Sequence, residues 1–235
     1  MKKMTLIQHF AELRRRFLWT VLFFVGAFVV GWVVAPWIQD FLTAPLLKVW
    51  QGGALLYGGL SDGLMITFSL ATWFAVLVVL PVLLWHIWAF VAPGLKKAER
   101  NFIWPALVMS PVLFLLGAAF AFYVLFPIIF EFFVRLNLDS LVPSVLLPSA
   151  RDYLVFVIGL LKVFGVAFQL PLVMVMLNRL GILPRDKVLK MRRYAIVIIV
   201  VVAAVLTPPD VVSQICLALP MWLLFEAGIF FMRRD

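Results

Sequence analysis

The apolar residues of this chain come in six long runs separated by short polar or basic segments. The runs cover residues 17–36, 63–90, 102–132, 153–177, 194–206 and 211–232. Apolar positions are continuous within each run rather than alternating, which favours helices over the strands of a β-barrel. A transmembrane helix needs about 20 apolar residues. The pattern predicts an all-α, polytopic integral membrane protein whose six transmembrane helices form one membrane domain, residues 1–235.

The composition supports this class. Hydrophobic residues make up 66% of the chain and charged residues only 13%, whereas a soluble domain has about 45–50% and about 25%. So few charged side chains cannot cover a water-facing surface. Soluble, disordered and fibrous classes are therefore excluded.

The fifth run is short for a membrane span. Residues 194–206 would form a helix of about 20 Å, against about 30 Å of hydrocarbon in a typical bilayer. A tight turn, Thr207-Pro208-Pro209-Asp210, joins this run to the sixth. Three explanations stay open: the bilayer thins at this hairpin, partner proteins shield it, or the helix ends extend into the interface.

The basic residues predict the orientation of the spans. Sixteen of the 20 Lys and Arg lie at the two termini and in the loops after the second and fourth spans. Because such loops stay in the cytoplasm, both termini are expected to be cytoplasmic. The net charge of +9 is thereby explained by topology, and no nucleic-acid partner is inferred.

No motif for catalysis is found in the sequence. The chain has no glycine-rich phosphate-binding loop and no His-Glu-x-x-His zinc motif. His9 and His86, the only histidines, have no Ser or Asp partner at motif spacing, and Cys216 is the single cysteine. We therefore expect a protein that is not an enzyme and that has no cofactor and no metal site.

Two isolated carboxylates are the first candidates for binding. Glu12 lies beside Arg14, Arg15 and Arg16, and Glu99 lies within the basic segment Lys96–Arg100. One interpretation is a helix ion pair between Glu12 and a nearby arginine, worth about 0.3–0.5 kcal/mol. The other is that the two acids receive cationic groups of a ligand.

Two polar residues inside the fourth span are the second candidates. A lysine at mid-membrane costs about 2.5–3.5 kcal/mol on insertion scales, so Lys162 is expected to face a partner or a wet cavity. Gln169 follows seven residues later, two turns along the same helix face. The pair either fixes helix packing by hydrogen bonds or forms a patch where a polar group of another subunit docks.

Four separated motifs point to a family. They are HFAELRRR at 9–16, FVAPGL at 90–95 with Glu99-Arg100, FGVAFQLP at 164–171, and TPPD at 207–210 with Ser213-Gln214. In this order, on six spans, they resemble the TatC family, the multispanning subunit of the twin-arginine (Sec-independent) protein translocase. The resemblance implies a cupped six-helix bundle with short fifth and sixth spans.

The resemblance also implies a function. TatC receives signal peptides that carry a twin-arginine motif and acts as a scaffold for single-span TatA- and TatB-type subunits. Folded proteins then cross the bacterial-type cytoplasmic (inner) membrane in a transport step that is driven by the proton-motive force. The expected partners are these signal peptides, the single-span subunits and the lipid bilayer, and self-association is left open.

Residue by residue, the family motifs imply two sets of sites. The signal-peptide-binding positions are Glu12, Glu99, Arg14 and Phe90. The partner-docking or structural positions are Pro45, Lys162, Gln169, Asp210 and Gln214. The family has Glu where this chain has Gln169, so hydrogen bonding rather than charge is expected there.

An alternative function is a secondary transporter of a small molecule or an ion. Lys162 and the proline residues inside the spans motivate it. This alternative predicts solute flux into liposomes by the chain alone, whereas a translocase receptor predicts signal-peptide binding without flux. A purely structural anchor predicts neither.

Overall fold

The structure of this protein is a computed structural model that describes residues 6–50, 54–91, 97–138, 148–207 and 210–233. Within these ranges, the side chains of residues 6–13, 84, 87–91, 97–104, 106 and 107 lie outside the description. The described residues are helical apart from short connections and one isolated bridge between Leu56 and Ser149.

Eight α-helices and one π-helical turn make up the described chain. The α-helices are α1 Leu6–Val49, α2 Asp62–Val91, α3 Lys97–Phe120, α4 Phe126–Leu138, α5 Ala150–Ala167, α6 Leu170–Arg179, α7 Arg185–Leu206 and α8 Val211–Phe231. The π-helical turn Ala121–Leu125 joins α3 to α4 without a break.

Five helical segments of the described chain are long and apolar enough to cross a membrane. They are Arg14–Val49, Asp62–Leu83, Val108–Leu136, Ala150–Arg179 and Val211–Phe231. The predicted fifth span, 194–206, forms the apolar part of α7, whose first nine residues include six that are charged. The prediction of an all-α, polytopic membrane protein is confirmed.

The chain separates into two compact units. The first unit comprises the residues up to Phe41 together with Ser61–Leu107, and the second comprises Leu42–Leu60 together with the residues from Val108 onward. Helices α1 and α2 form most of the first unit, and α4 to α8 belong to the second. The single membrane domain stays a prediction.

Small residues allow close packing inside the first unit. A Cβ added to Gly31 on α1 would lie 2.9 Å from the carbonyl oxygen of Ala71 on α2, so only glycine fits at this approach. The buried residues Ala27 and Ala75 line the same contact together with Val79. Membrane helices associate in this way because small side chains let the backbones approach.

Aromatic side chains form the core of the second unit. The rings of Phe122, Phe126, Phe130 and Tyr153 follow one another at centroid distances of 5.3–5.8 Å, and the Tyr153 hydroxyl donates to the carbonyl oxygen of Leu42 at 2.7 Å. The π-helical turn ends two residues before Pro127, which has no N–H for the α-helical ladder.

Helix α1 is longer than the sequence analysis predicts. Pro45 and the glycines at 52, 53, 58 and 59 predict a turn and loop over residues 37–60, but the helix continues to Val49. The buried positions Ala35, Leu42 and Leu46 are spaced seven and four residues apart, which is the periodicity of a helix with one packed face. The loop prediction was wrong because it relied on Pro45 and the glycines that follow Val49.

Two further boundaries differ from the sequence prediction. The fourth span, predicted to be continuous over 153–177, is interrupted at Phe168 and Gln169, between α5 and α6. Pro171 explains this break, since its ring occupies the first turn of α6 and removes a backbone donor. The basic segment 96–100, predicted as a loop, contributes Lys97–Arg100 to the first turn of α3.

Candidate functional site

An apolar groove lies between α1 and α2 in the first unit. Its volume is about 590 Å³, and its lining is almost entirely apolar. We call it the α1–α2 groove, and it is lined by Trp19, Leu22, Phe23, Gly26, Ala27, Val30, Phe74, Val78, Val82 and His86. A Cβ added to Gly26 would meet nothing within 4 Å, so the groove is open at this point.

One end of the α1–α2 groove carries a polar contact between the two helices. The Thr20 hydroxyl donates to the carbonyl oxygen of Arg16 at 2.9 Å, and Oγ1 of Thr20 lies 2.7 Å from Nδ1 of His86. This short distance is a hydrogen bond between the hydroxyl and the imidazole, and it links α1 to α2. Arg16 also donates to the carbonyl oxygen of His86 at 3.5 Å.

All four predicted signal-peptide-binding residues belong to the first unit. Glu12 and Arg14 lie on α1, Phe90 lies in the last turn of α2, and Glu99 lies in the first turn of α3. Arg14 is exposed, and the side chains of the other three lie outside the description. Position 12 shares a helix face with the groove residue Trp19, seven residues later.

Gln169 and Ser110 form a closed pair in the second unit. The Ser110 hydroxyl donates to Oε1 of Gln169 at 2.7 Å, and Nε2 of Gln169 donates to the carbonyl oxygen of Ser110 at 2.9 Å. This pair joins α3 to the break between α5 and α6. Both polar atoms of the Gln169 side chain, Oε1 and Nε2, are therefore hydrogen-bonded within the chain.

Lys162 lies on an exposed stripe of α5. Val155 and Val166, also on this stripe, are 60% and 62% exposed, and a Cβ added to Gly159 between them would meet nothing within 4 Å. No hydrogen bond or ion pair joins Lys162 to another residue that the structure describes. The structure brings Lys162 and Gln169 into no direct contact, and the helix break at Phe168 separates them.

The hairpin of α7 and α8 uses two of the predicted residues for its own structure. The Asp210 carboxylate accepts from the backbone N–H of Ser213 at 2.6 Å and so caps the N-terminus of α8. Gln214 donates from Nε2 to the carbonyl oxygen of Val200 at 3.2 Å, which ties α8 to α7. Pro45, the remaining predicted residue of this set, is buried on α1.

An ion pair joins the basic ends of α7 and α8. Arg192 contacts Glu226 at 2.6 Å. The local sequence does not reveal this pair because the two residues are 34 positions apart. The hydrogen bonds of Thr20 with His86 and of Ser110 with Gln169 were missed for the same reason. Polar side chains inside apolar runs were the only signal that could have found them.

The described residues contain no group of three or more His, Cys, Asp or Glu that could hold a metal ion.

The sequence matches known proteins over nearly its whole length. The family model described as Sec-independent protein translocase protein (TatC) matches residues 8–220. The Sec-independent protein translocase protein TatC of Magnetococcus marinus is 35% identical, over 99% of this chain and 85% of the relative. The TatC protein of Escherichia coli strain K12 is 38% identical, over 97% of this chain and 88% of the relative.

Solved structures match the fold as well. A crystal structure of the twin arginine translocase receptor TatC in DDM has a TM-score of 0.85 and 30% sequence identity, and the match covers 96% of this chain and 99% of the other. A second crystal structure of this receptor has a TM-score of 0.83 and 31% identity, with 95% and 97% coverage.

Proposed function

Because the chain belongs to the TatC family of Sec-independent protein translocase proteins, we propose that it is the signal-peptide receptor and scaffold subunit of a twin-arginine translocase. It is a multi-pass membrane protein that transports folded proteins across a bacterial-type cytoplasmic membrane, driven by the proton-motive force. Both of its termini are cytoplasmic, and it has no catalytic role. The observation that carries this proposal is the α1–α2 groove, next to the helix segment that bears Glu12.

Glu12 and Glu99 receive the arginine pair of the signal peptide. A guanidinium group presents two parallel N–H donors to a carboxylate, which the ammonium group of lysine does not. A shielded charge-assisted hydrogen bond is worth about 1.5–3 kcal/mol and an exposed one much less. Arg14 and Phe90 complete this binding region, on α1 and at the end of α2.

The apolar segment of the signal peptide binds in the α1–α2 groove. Two arginine contacts alone give too little affinity, and burial of apolar surface contributes about 25 cal/mol per Å². The groove begins at Trp19, two turns beyond position 12 on the same face of α1, and extends past Gly26 to Val30. This arrangement matches the order of a signal peptide in which the charged residues precede the apolar segment.

The second unit docks the single-span TatA- and TatB-type subunits. Lys162 is exposed on a membrane-spanning helix without a partner among the described residues, so a polar group of another chain is expected to meet it. Gln169 fixes the adjacent helix break through Ser110. The hairpin of α7 and α8, capped by Asp210 and tied by Gln214, offers a second face for a partner.

Binding of two signal peptides tests the receptor role. A twin-arginine peptide and its twin-lysine counterpart are titrated against the detergent-solubilised protein and its Glu12→Ala and Glu99→Ala variants. We expect the arginine peptide to bind more tightly than the lysine peptide, and each variant to lose that preference. Glu131→Ala is the matched control, because Glu131 is an exposed acid of the second unit paired with Arg135.

Equal binding of the two peptides by the unmodified protein would contradict the receptor role. Peptide binding that keeps its preference for arginine in both variants would contradict the role of the two acids. Solute flux into liposomes by the chain alone would favour the secondary transporter instead.

Charge reversal at Lys162 tests the docking role. Lys162→Glu is expected to reduce crosslinking to the single-span subunits, since a carboxylate would replace the cation on the exposed stripe of α5. Lys48→Glu makes the same change at an exposed position of α1 and serves as the control. Unchanged crosslinking in Lys162→Glu would exclude the docking patch.

A further inference from the structure

A second cavity opens at the basic ends of α7 and α8. It measures about 460 Å³ and lies wholly within the second unit. We call it the basic-end cavity, and it is lined by Arg185, Arg192, Glu226, Ala227, Ile229, Phe230 and Phe231. The lining thus combines two guanidinium groups with an apolar and aromatic wall.

The two arginines of the basic-end cavity differ in their partners. Arg192 is neutralised by Glu226, with 2.6 Å between the charged atoms. Arg185 has no hydrogen-bond or ion-pair acceptor among the described residues, and its Nε is buried without a partner. A buried N–H donor without an acceptor is costly. The cavity therefore carries one positive charge for which the described chain supplies no acceptor.

The position of the cavity along the helices suits the boundary between headgroups and acyl chains. Arg185 is the first residue of α7, and Phe231 is the last residue of α8. Arg192 lies seven residues into α7, about 10 Å along its axis. Phe230 and Phe231 are 78% and 65% exposed, so two large aromatic rings face outward beside the cationic groups.

We propose that the basic-end cavity binds an anionic glycerophospholipid. The phosphate contacts Arg185, and an acyl chain lies along Phe230 and Phe231. Arginine suits this ligand because its planar fork matches the oxygens of a phosphate. Glu226 is already paired with Arg192, so only Arg185 is available in the cavity to bind an anion.

The surrounding charge selects an anionic headgroup over a zwitterionic one. Lys187, Lys190 and Arg193 are exposed on the same end of α7. Basic residues at a membrane surface attract anionic lipids, and basic pockets between helices bind their headgroups. Phosphatidylglycerol is therefore expected to bind more tightly than phosphatidylcholine with identical acyl chains.

Native mass spectrometry of the full-length protein tests the proposal. The protein in detergent is titrated with phosphatidylglycerol or with phosphatidylcholine of the same acyl chains. We expect a preference for phosphatidylglycerol and an about tenfold lower affinity for it in Arg185→Gln. Arg185→Lys, which keeps the charge but not the fork, should bind with intermediate affinity. The melting temperature of each variant checks that it is folded.

A matched control separates the cavity from general surface charge. Lys187→Gln removes the same charge two residues away, at an exposed position that does not line the cavity. Its loss of affinity should be clearly smaller than that of Arg185→Gln. Equal losses in the two variants, or equal binding of the two lipids by the unmodified protein, would overturn the proposal.

Inorganic phosphate distinguishes a lipid from a free anion. Millimolar inorganic phosphate should leave phosphatidylglycerol bound, because it does not replace the contacts of the acyl chain with Phe230 and Phe231. Displacement of the lipid by phosphate alone would overturn the assignment to a phospholipid.

Discussion

Ser110 and Gln169 exchange two hydrogen bonds, with donor–acceptor distances of 2.7 and 2.9 Å, across the junction of α3 with the break between α5 and α6. One bond uses the serine hydroxyl and the other uses the serine carbonyl, so Gln169 acts as acceptor and donor toward one residue. The amide of Gln169 supplies the hydrogen-bond donor that a carboxylate at this position would lack.

The Ser110–Gln169 pair should be measurable as a coupling energy. Ser110→Ala and Gln169→Leu are expected to destabilise the protein, and the double variant by less than the sum of the two. Hydrogen bonds between membrane helices couple by about 0.6 kcal/mol on average and at most about 1.7 kcal/mol. The free energies of unfolding in mixed micelles are compared for the unmodified protein, the two single variants and the double variant. If the two single losses add up to the loss of the double variant, the pair adds no stability.

The close approach of α3 to α5 should depend on Gly117. A Cβ at this position would overlap the carbonyl oxygen of Phe164, a backbone atom that does not move aside. Gly117→Ala is therefore expected to destabilise the protein by about 1–3 kcal/mol through overpacking.

Gly159 provides the matched control for this substitution. Its added Cβ meets nothing within 4 Å, so Gly159→Ala should be neutral or stabilising by up to about 1 kcal/mol, given the helix propensities of glycine and alanine. Thermal unfolding in detergent compares the two variants. Equal stability of both would contradict the close packing at Gly117.

The cap of α8 should depend on an oxygen at position 210. Asp210→Ala removes the acceptor for the N–H of Ser213 and is expected to cost about 0.5–2 kcal/mol. Asp210→Asn keeps an acceptor oxygen and should lose much less. If Asn is as destabilising as Ala in thermal unfolding, the negative charge at 210 matters and the cap alone does not account for the residue.

Filling the α1–α2 groove should weaken signal-peptide binding. Gly26→Phe places a ring in the open space beside Ala27 and is expected to reduce affinity for a twin-arginine signal peptide about tenfold, a loss of about 1.4 kcal/mol. Val29→Phe adds a ring to the same helix at an exposed position outside the groove lining. If both variants bind the signal peptide with the same affinity, the apolar segment of the peptide does not bind in the α1–α2 groove.

The local sequence determined most of the secondary structure but misplaced several helix ends. Pro45 and the glycines after it predict a loop, yet α1 continues through Pro45, where Leu42 and Leu46 pack into the second unit. Burial of that face outweighs the local preference of one proline. The break at Phe168 and Gln169 was missed because the apolar run itself is uninterrupted.

For the candidate site, the sequence supplied the residue types and the tertiary structure supplied the neighbours. The isolated acids Glu12 and Glu99 were recognisable from the basic residues around them. The sequence left open whether Gln169 fixes helix packing by hydrogen bonds or shares a docking patch with Lys162, and the fold pairs it with Ser110, 59 positions earlier. The sequence does not distinguish Arg185 from the other basic residues of its segment. Only its position in the cavity beside Phe230 gives it a candidate role.

The sequence by itself determined the membrane class, the helical architecture and the TatC family, because these follow from hydrophobic run length, charge distribution and local motifs. Only the tertiary structure decided which polar groups are already paired, where grooves remain, and which cations lack an acceptor among the described residues. The physical reason is that hydrogen bonds and packing depend on distances between residues far apart in the chain. Such distances are set by the assembly of helices and not by any segment alone.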